Sequence, residues 1–362
     1  LLTCAPGEEI YSLFGHTAIR YENPSQGIDA VFNYGLFSFN TPNFIFRFSL
    51  GETDYQLGVT DYEHFAAEYA FYGRSVWQQT LNLTDEEKTE LIQLLQENYR
   101  PENRVYRYNF FYDNCATRPR DKIEESIAGK VVYPTEPQDG SRTFRDIVHQ
   151  YCKGHPWARF GIDLCIGSEA DQPITQRQMM FAPFYLMDAF DGAQISTDTY
   201  SRPLVKTNEL IIDVTPEPDE SDWMPTPLQC SLLLFILIAA ATIYGIRRRT
   251  GLWGIDLFLF GIAGIVGCVL AFLALFSQHP AVSSNFLLLV FHPGQLLFLP
   301  YIIYCVRKGK KCWYLTLNLA VLTLFIVLFP VIPQRFDFAV VPLALVLLIR
   351  SASNLIVTSK KK

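Results

Sequence analysis

The C-terminal part of the chain constrains everything before it. Residues 228–357 hold five apolar stretches, roughly 228–246, 253–276, 286–306, 313–332 and 336–357. Each is close to the ~20 residues that carry an α-helix across a hydrocarbon core. A chain with such stretches must satisfy its backbone polar groups inside helices there. Basic clusters follow the first stretch (Arg247, Arg248, Arg249), the third (Arg307, Lys308, Lys310, Lys311) and the last (Lys360, Lys361, Lys362). The positive-inside rule makes these three ends cytoplasmic. The N-terminal region and the 277–285 and 333–335 loops then face outward.

Residues 1–226 read differently. They mix polar and apolar positions, with many Tyr, Asp and Glu, so the whole chain is 49% hydrophobic and reaches a mean hydropathy of only +0.13. The net charge is -6, and no basic stripe with interleaved aromatics appears, so nucleic acid is not an expected partner. The expected organisation is an α+β soluble domain over 1–214, a linker over 215–227 with four prolines, and an all-α five-span membrane domain over 228–362. The chain opens at Leu1-Leu2-Thr3-Cys4 without Met or a charged leader. That start reads as one exposed by signal-peptide removal, or as the cut edge of a longer domain.

None of the eight cysteines shows Cys-x-x-Cys or Cys/His metal spacing, so neither a metal nor a cofactor is expected. Cys152 and Cys165 are near enough in sequence to form a disulfide in an oxidising compartment. Cys115 has the most informative setting. It follows the aromatic run Tyr108-Asn109-Phe110-Phe111-Tyr112, then Asp113-Asn114, and precedes a helix expected to run through about Ile127. Asp and Asn are strong N-cap residues. A cysteine at a helix N-terminus is expected to have a lowered pKa and to serve as a nucleophile. The competing reading is a buried structural cysteine.

A thiol nucleophile needs a base, and His16 in Phe14-Gly15-His16-Thr17-Ala18-Ile19-Arg20 is the candidate. A second strand, Ala30–Tyr34, is expected to pair with this one and to set Asn33 roughly opposite His16 as its orienter. Tyr11, Tyr112 and Asn114 are candidate oxyanion donors, and Arg20 is a candidate substrate contact. In the outward loop Ser277–Asn285, His279 and Asn285 are candidate head-group ligands. His292 and Gln295, near the middle of the third stretch, read as helix–helix hydrogen-bonding groups or as the lining of a cavity.

The pairing of Phe14-Gly15-His16-Thr17-Ala18-Ile19-Arg20 with Asp113-Asn114-Cys115-Ala116-Thr117-Arg118 resembles the Lnb-type lipoprotein N-acyltransferases. The resemblance extends to Pro156–Leu164 and to the membrane half. It implies a circularly permuted papain-like (NlpC-type) domain in the periplasm, attached to the bacterial inner membrane. It also implies acyl transfer from a phospholipid donor, through a Cys115 thioester, to the N-terminal amine of a diacylglyceryl-cysteine lipoprotein. Two other classes remain open from the residues alone: a membrane-anchored cysteine peptidase or amidase acting on cell-wall peptides, and a non-enzymatic membrane receptor.

The remaining pattern is ordinary for an α+β domain. Helices are expected over Asp61–Tyr72, Thr84–Tyr99 (opened by the capping box Thr84/Glu87), Thr143–Tyr151 and Thr175–Phe190. Strands are expected over Ser75–Leu83, Arg104–Tyr112 and Glu209–Val214. The aromatics Phe37, Phe39, Phe44, Phe46 and Phe48 read as strands and turns packed into a core rather than as a lipid-contacting patch. Gly154–Gly167 reads as a turn.

Overall fold

The computed structural model describes residues 1–40, 42–134, 142–214 and 224–359. Most of the expected 215–227 linker, residues 135–141 and the Lys360–Lys362 cluster lie outside the described residues. The chain forms two compact units. The first is Leu1–Tyr151 with Pro173–Glu220, and the second is Cys152–Gln172 with Ser221–Lys362.

The first unit is α+β. Its strands are β1 (Leu2–Cys4), β2 (His16–Asn23), β3 (Ile28–Leu36), β4 (Asp54–Asp61), β5 (Val76–Leu81), β6 (Val105–Arg107), β7 (Lys130–Val132), β8 (Gln194–Ser196), β9 (Ser201–Pro203) and β10 (Val205–Ile212). Seven of them form one antiparallel sheet in the order β10-β5-β1-β2-β3-β4-β6, and β7-β8-β9 form a small second sheet. β2 and β3 lie mid-sheet, and their alternating side chains pack both faces. Ile19, opposite Phe32, joins Leu91 and Leu95 of the helix Asp85–Tyr99 and Ile123 of the helix Thr117–Ser126. Ala18 and Val31 instead meet Phe65 and Tyr69 of the helix Tyr62–Phe71. The Thr84/Glu87 capping box forms as expected. The buried Glu87 carboxylate also accepts from Ala128 N–H and from Arg202, tying the helix start to two distant segments.

Three local expectations change. The aromatic run ends in a short helix, Phe44–Leu50, not a strand, and of its aromatics only Phe44 is buried. The expected strand 104–112 is only Val105–Arg107, because residues 109–113 close a turn. The expected helix Thr175–Phe190 is two helices, Gln176–Met179 and Pro183–Asp191, since Pro183 cannot donate within a continuous helix.

Among the described residues of the second unit, three helices are long and apolar enough to cross a membrane: Pro227–Arg248, Trp253–Phe276 and Val340–Ser359. The count becomes four if Leu299–Lys308 and Trp313–Leu328, bent by 111°, are one span. The expected third stretch is not one helix. It is a 3-10 turn (Phe286–Leu289) followed by the helices Pro293–Leu297 and Leu299–Lys308. Pro293 and Pro300 each sit in the opening turn of a new helix, where a missing N–H is tolerated. Gly264 and Gly267 let this broken segment approach, for a Cβ at either would overlap the backbone of Leu296 or His292. Across it, His292 Nε2 meets Asn318 Oδ1 at 3.3 Å, and Asn318 Nδ2 donates to Ser351 Oγ at 3.0 Å. Gln295 Nε2 donates to Val290 O. Both residues thus make internal packing bonds.

The segment Cys152–Gln172 belongs to this unit. It folds as a helix, Pro156–Cys165, where a turn was expected, with Pro156 pre-organising the first turn. Gly167 N–H donates to Ala281 O at 2.7 Å and Gln334 Nε2 to Ile166 O at 3.3 Å. Arg159 pairs with Asp337 and Arg335 with Asp171. The expected Cys152–Cys165 disulfide is absent, and both thiols are free. Cys152 lies near Asp163, and two residues along a helix is a rotation of about 200°, which turns Cys165 to the opposite side.

A buried ion pair joins three spans. Arg350 Nε and NH2 donate to the two Asp256 oxygens at 2.7 and 3.0 Å, and NH1 donates to Thr242 at 3.0 Å. Replacing Arg350 by Leu strands a buried carboxylate and should destabilise the unit by about 3–5 kcal/mol, whereas the double change with Asp256→Leu should recover much of that. Thermal melts of the purified protein in detergent check this. A double variant no more stable than the single one would contradict it.

Candidate active site

Cys115 lies where a turn passes into a helix. Asn109 and Asp113 exchange backbone hydrogen bonds at 2.9 Å. Asn114 then folds its side chain back onto the chain. Its Oδ1 accepts from the N–H groups of Ala116 and Thr117 at 2.8 and 3.0 Å, and its Nδ2 donates to the carbonyls of Phe110 and Phe181, each at 2.8 Å. The helix Thr117–Ser126 starts here, with Pro119 in the first turn, where its missing N–H has no helical partner to lose. Cys115 is therefore one residue before the N-cap, held between four hydrogen bonds to its neighbour. The sheet comes close on the other side. Gly35 of β3 has φ +91°, and a Cβ built on it would lie 3.4 Å from Cys115 Cβ. The Thr17 backbone N–H hydrogen-bonds the Cys115 thiol, so the sulfur lies against the residue that follows His16.

His16 opens β2. The residue opposite Asn33 is Ala18, two positions further along the strand than expected, and His16 itself pairs with Cys4 of β1. The expected side-chain contact forms nonetheless, as a diagonal pair on one face of the sheet. His16 Nε2 meets Asn33 Oδ1 at 3.2 Å. Asn33 Nδ2 donates to Val31 O and Thr60 Oγ1, each at 3.4 Å, which fixes the amide with its oxygen toward the imidazole. Nε2 is then the protonated nitrogen, and Nδ1 is left as the acceptor.

Residues 1–149 match the Lnb N-terminal periplasmic domain, and residues 219–362 match the Lnb transmembrane domain. The chain belongs to the Lnb family. No curated protein and no solved structure matches it. It is a lipoprotein N-acyltransferase-like, multi-pass inner-membrane protein with a periplasmic N-terminal domain. His16, Asn33 and Cys115 all fall within the first matched region.

The electrostatics of this Lnb site depart from the sequence expectation. Burial pushes the Cys115 thiol up from its ordinary 9.0 to about 11, against the smaller opposing pull of the Thr17 and Cys115 N–H groups. Burial also lowers His16 from 6.5 to about 4, outweighing the bond to Asn33. The expected lowering of the cysteine pKa at a helix start is therefore overcome by desolvation. At neutral pH the pair rests as thiol and neutral imidazole.

The candidate substrate contacts fare unevenly. Both Asn114 Nδ2 hydrogens are committed to carbonyls, so this side chain has no donor left for an oxyanion. Arg20 is committed as well: it binds Asp29 through two bonds of 2.7 Å, donates to Gln78 and stacks 3.5 Å over Tyr62. Asn285 is buried and spans two segments, donating to Leu164 O at 2.7 Å and accepting from Gln334 at 3.1 Å. All three thus make structural ties within the fold. Tyr11 and Tyr112 are exposed, with their rings against Phe37 and Phe144 respectively. His279 caps the 3-10 turn Pro280–Val282.

Sequence reading missed Tyr106. Its hydroxyl is buried without a hydrogen-bond partner among the described residues, 3.9 Å from the same Gly35 Cβ position that abuts Cys115. Burial keeps this phenol protonated and therefore a donor. Only the sheet register and the Gly35 approach bring it to the thiol, so no local motif marks it. If the thiol rests protonated, its alkylation by iodoacetamide should keep accelerating through the alkaline range toward about 11. A rate that saturates below neutral pH would show the thiolate as the resting form.

Proposed function

We propose that Cys115 carries an acyl group from a phospholipid to the free α-amino group of a diacylglyceryl-cysteine lipoprotein at the periplasmic face of the membrane. The observation that carries this reading is that the Cys115 thiol accepts from the Thr17 N–H, next in sequence to His16, which itself contacts Asn33, in an Lnb-family chain. The strand carrying His16 precedes the helix after Cys115, the order of a circularly permuted papain-like domain.

Because both groups rest neutral, nucleophile and proton acceptor are generated together. The Cys115 sulfur attacks the ester carbonyl carbon while its proton passes to His16 Nδ1. The dry surroundings that disfavour an isolated thiolate leave the displaced charge on the carbonyl oxygen, where the Cys115 backbone N–H and the Tyr106 hydroxyl act as donors. Collapse breaks the carbon–oxygen ester bond. The lysophospholipid oxygen takes the proton from His16, and the acyl group remains on sulfur as a thioester. The lipoprotein amine then attacks that carbonyl, His16 takes a proton from the nitrogen, and sulfur leaves and is reprotonated. Asn33 keeps the imidazole in the tautomer that both steps use. Exclusion of water keeps the thioester from hydrolysing.

Three outcomes test this. Cys115→Ala abolishes acyl transfer, and intact-mass analysis of the wild-type protein incubated with phospholipid finds an acyl adduct on Cys115 that the variant lacks. Tyr106→Phe lowers the acylation rate by about 10²-fold, the typical cost of one oxyanion donor, with the melting temperature unchanged. The pH profile follows the lowered histidine. Neutral His16 is required, so acylation is retained as pH falls past 6.5 and is lost only near 4. An acid limb at 6.5 would remove His16 as the buried base.

A further inference from the structure

Aromatic rings link the surroundings of Cys115 to the protein surface. From the residue that abuts the thiol, Gly35, the chain continues directly into Leu36 and Phe37. The Phe37 ring lies 5.0 Å from Tyr55, which stacks at 4.1 Å on Tyr108, and both tyrosines are within electrostatic reach of the Cys115 sulfur. In the other direction Phe37 meets Phe39 at 4.9 Å and Tyr11 at 5.9 Å. Tyr11 and Phe39 are each 63% exposed, and Ile45 on the helix Phe44–Leu50 is 77% exposed. A line of rings thus runs from the thiol to an open apolar rim. The charges at its border are already paired, Arg47 with Asp54 at 3.1 Å and Arg107 with Asp54 at 2.9 Å.

An exposed apolar rim backed by such a row of rings marks an interaction site. We propose that this ridge seats an acyl chain of the phospholipid donor while its ester carbonyl reaches Cys115. The inference rests on the acyl transfer proposed above. Three observations favour a lipid chain over a protein partner: the ridge is continuous with the reacting sulfur, its border charges are satisfied internally, and the chain carries its own membrane spans, which keep it at a lipid surface. Aromatic rings and one β-branched residue offer a surface for methylenes and no pattern of hydrogen-bond donors for a peptide.

The test uses the full-length protein reconstituted with phospholipid, and compares Cys115 acylation by a long-chain phospholipid with acylation by a water-soluble butyryl ester. In the double variant Phe39→Ser/Ile45→Ser the ratio of long-chain to short-chain rate should fall at least about tenfold, as expected for lost apolar contact with a chain. An unchanged ratio overturns the ridge while leaving the Cys115 chemistry standing. An equal loss with both esters also overturns it, because the residues then support the site's structure. If acylation is unaffected and only transfer to a lipopeptide amine slows, the ridge holds the acceptor and the donor assignment is wrong. Failure of the wild-type protein to acylate with either ester sinks the acyl transfer itself, and the ridge with it.

Discussion

One amide side chain makes four hydrogen bonds, and the position of the Cys115 sulfur depends on them. Asn114 satisfies two N–H groups at the mouth of a helix and two carbonyls, one of them in the distant Phe181. A turn with so many backbone groups taken out of water would otherwise leave several of them unpaired, at a cost of about 1–3 kcal/mol each. With the turn fixed, the thiol can be pressed against a sheet backbone that lacks a side chain at Gly35. The packing around Cys115 and His16 leaves both half-buried, and the solvation they lose sets their resting charge. Geometry and protonation state thus share one cause.

The sequence displayed the chemical parts more clearly than their surroundings. Cys115 was legible because a cap signal stood beside it, and His16 because a glycine-flanked strand carried it. Asn33 was found by assuming a simple hairpin. Its contact is real but its register is shifted: along the β3 edge of β2 Asn33 faces Ala18, and it reaches His16 diagonally, while β1 lines the other edge. Tyr106 could not be read at all, because it reaches the thiol through strand order, not through sequence proximity. Arg20 and Asn114 look functional in a motif, yet the fold engages Arg20 with Asp29 and Gln78 and spends both Asn114 side-chain donors on carbonyls. The pKa direction was misjudged for a similar reason: a helix start is visible in sequence, whereas the mass packed around it is not.

Among the membrane helices, hydropathy found the apolar stretches and missed their continuity. Pro293 and Pro300 divide one stretch, and glycines on the neighbouring helix leave room for the irregular backbone. The polar groups there are spent on one another. His292, Asn318 and Ser351 form a chain, and Arg350, Asp256 and Thr242 form a second. Inside an apolar environment such bonds fix which helices are neighbours, since any other arrangement would leave them unpaired.

The segment Cys152–Gln172 leaves the first unit after Tyr151 and returns to it at Pro173. The two units are therefore joined by three peptide crossings: after residue 151, after 172 and after 220. A single connection would act as a leash, and severing it would free the first unit. Here the chain enters the second unit twice. Cleavage within 215–227 cuts the only covalent path to the membrane helices, yet Cys152–Gln172, still continuous with the chain that carries Cys115, stays packed in the second unit through the Gly167–Ala281 and Gln334–Ile166 bonds, so attachment would pass from the backbone to folded contacts.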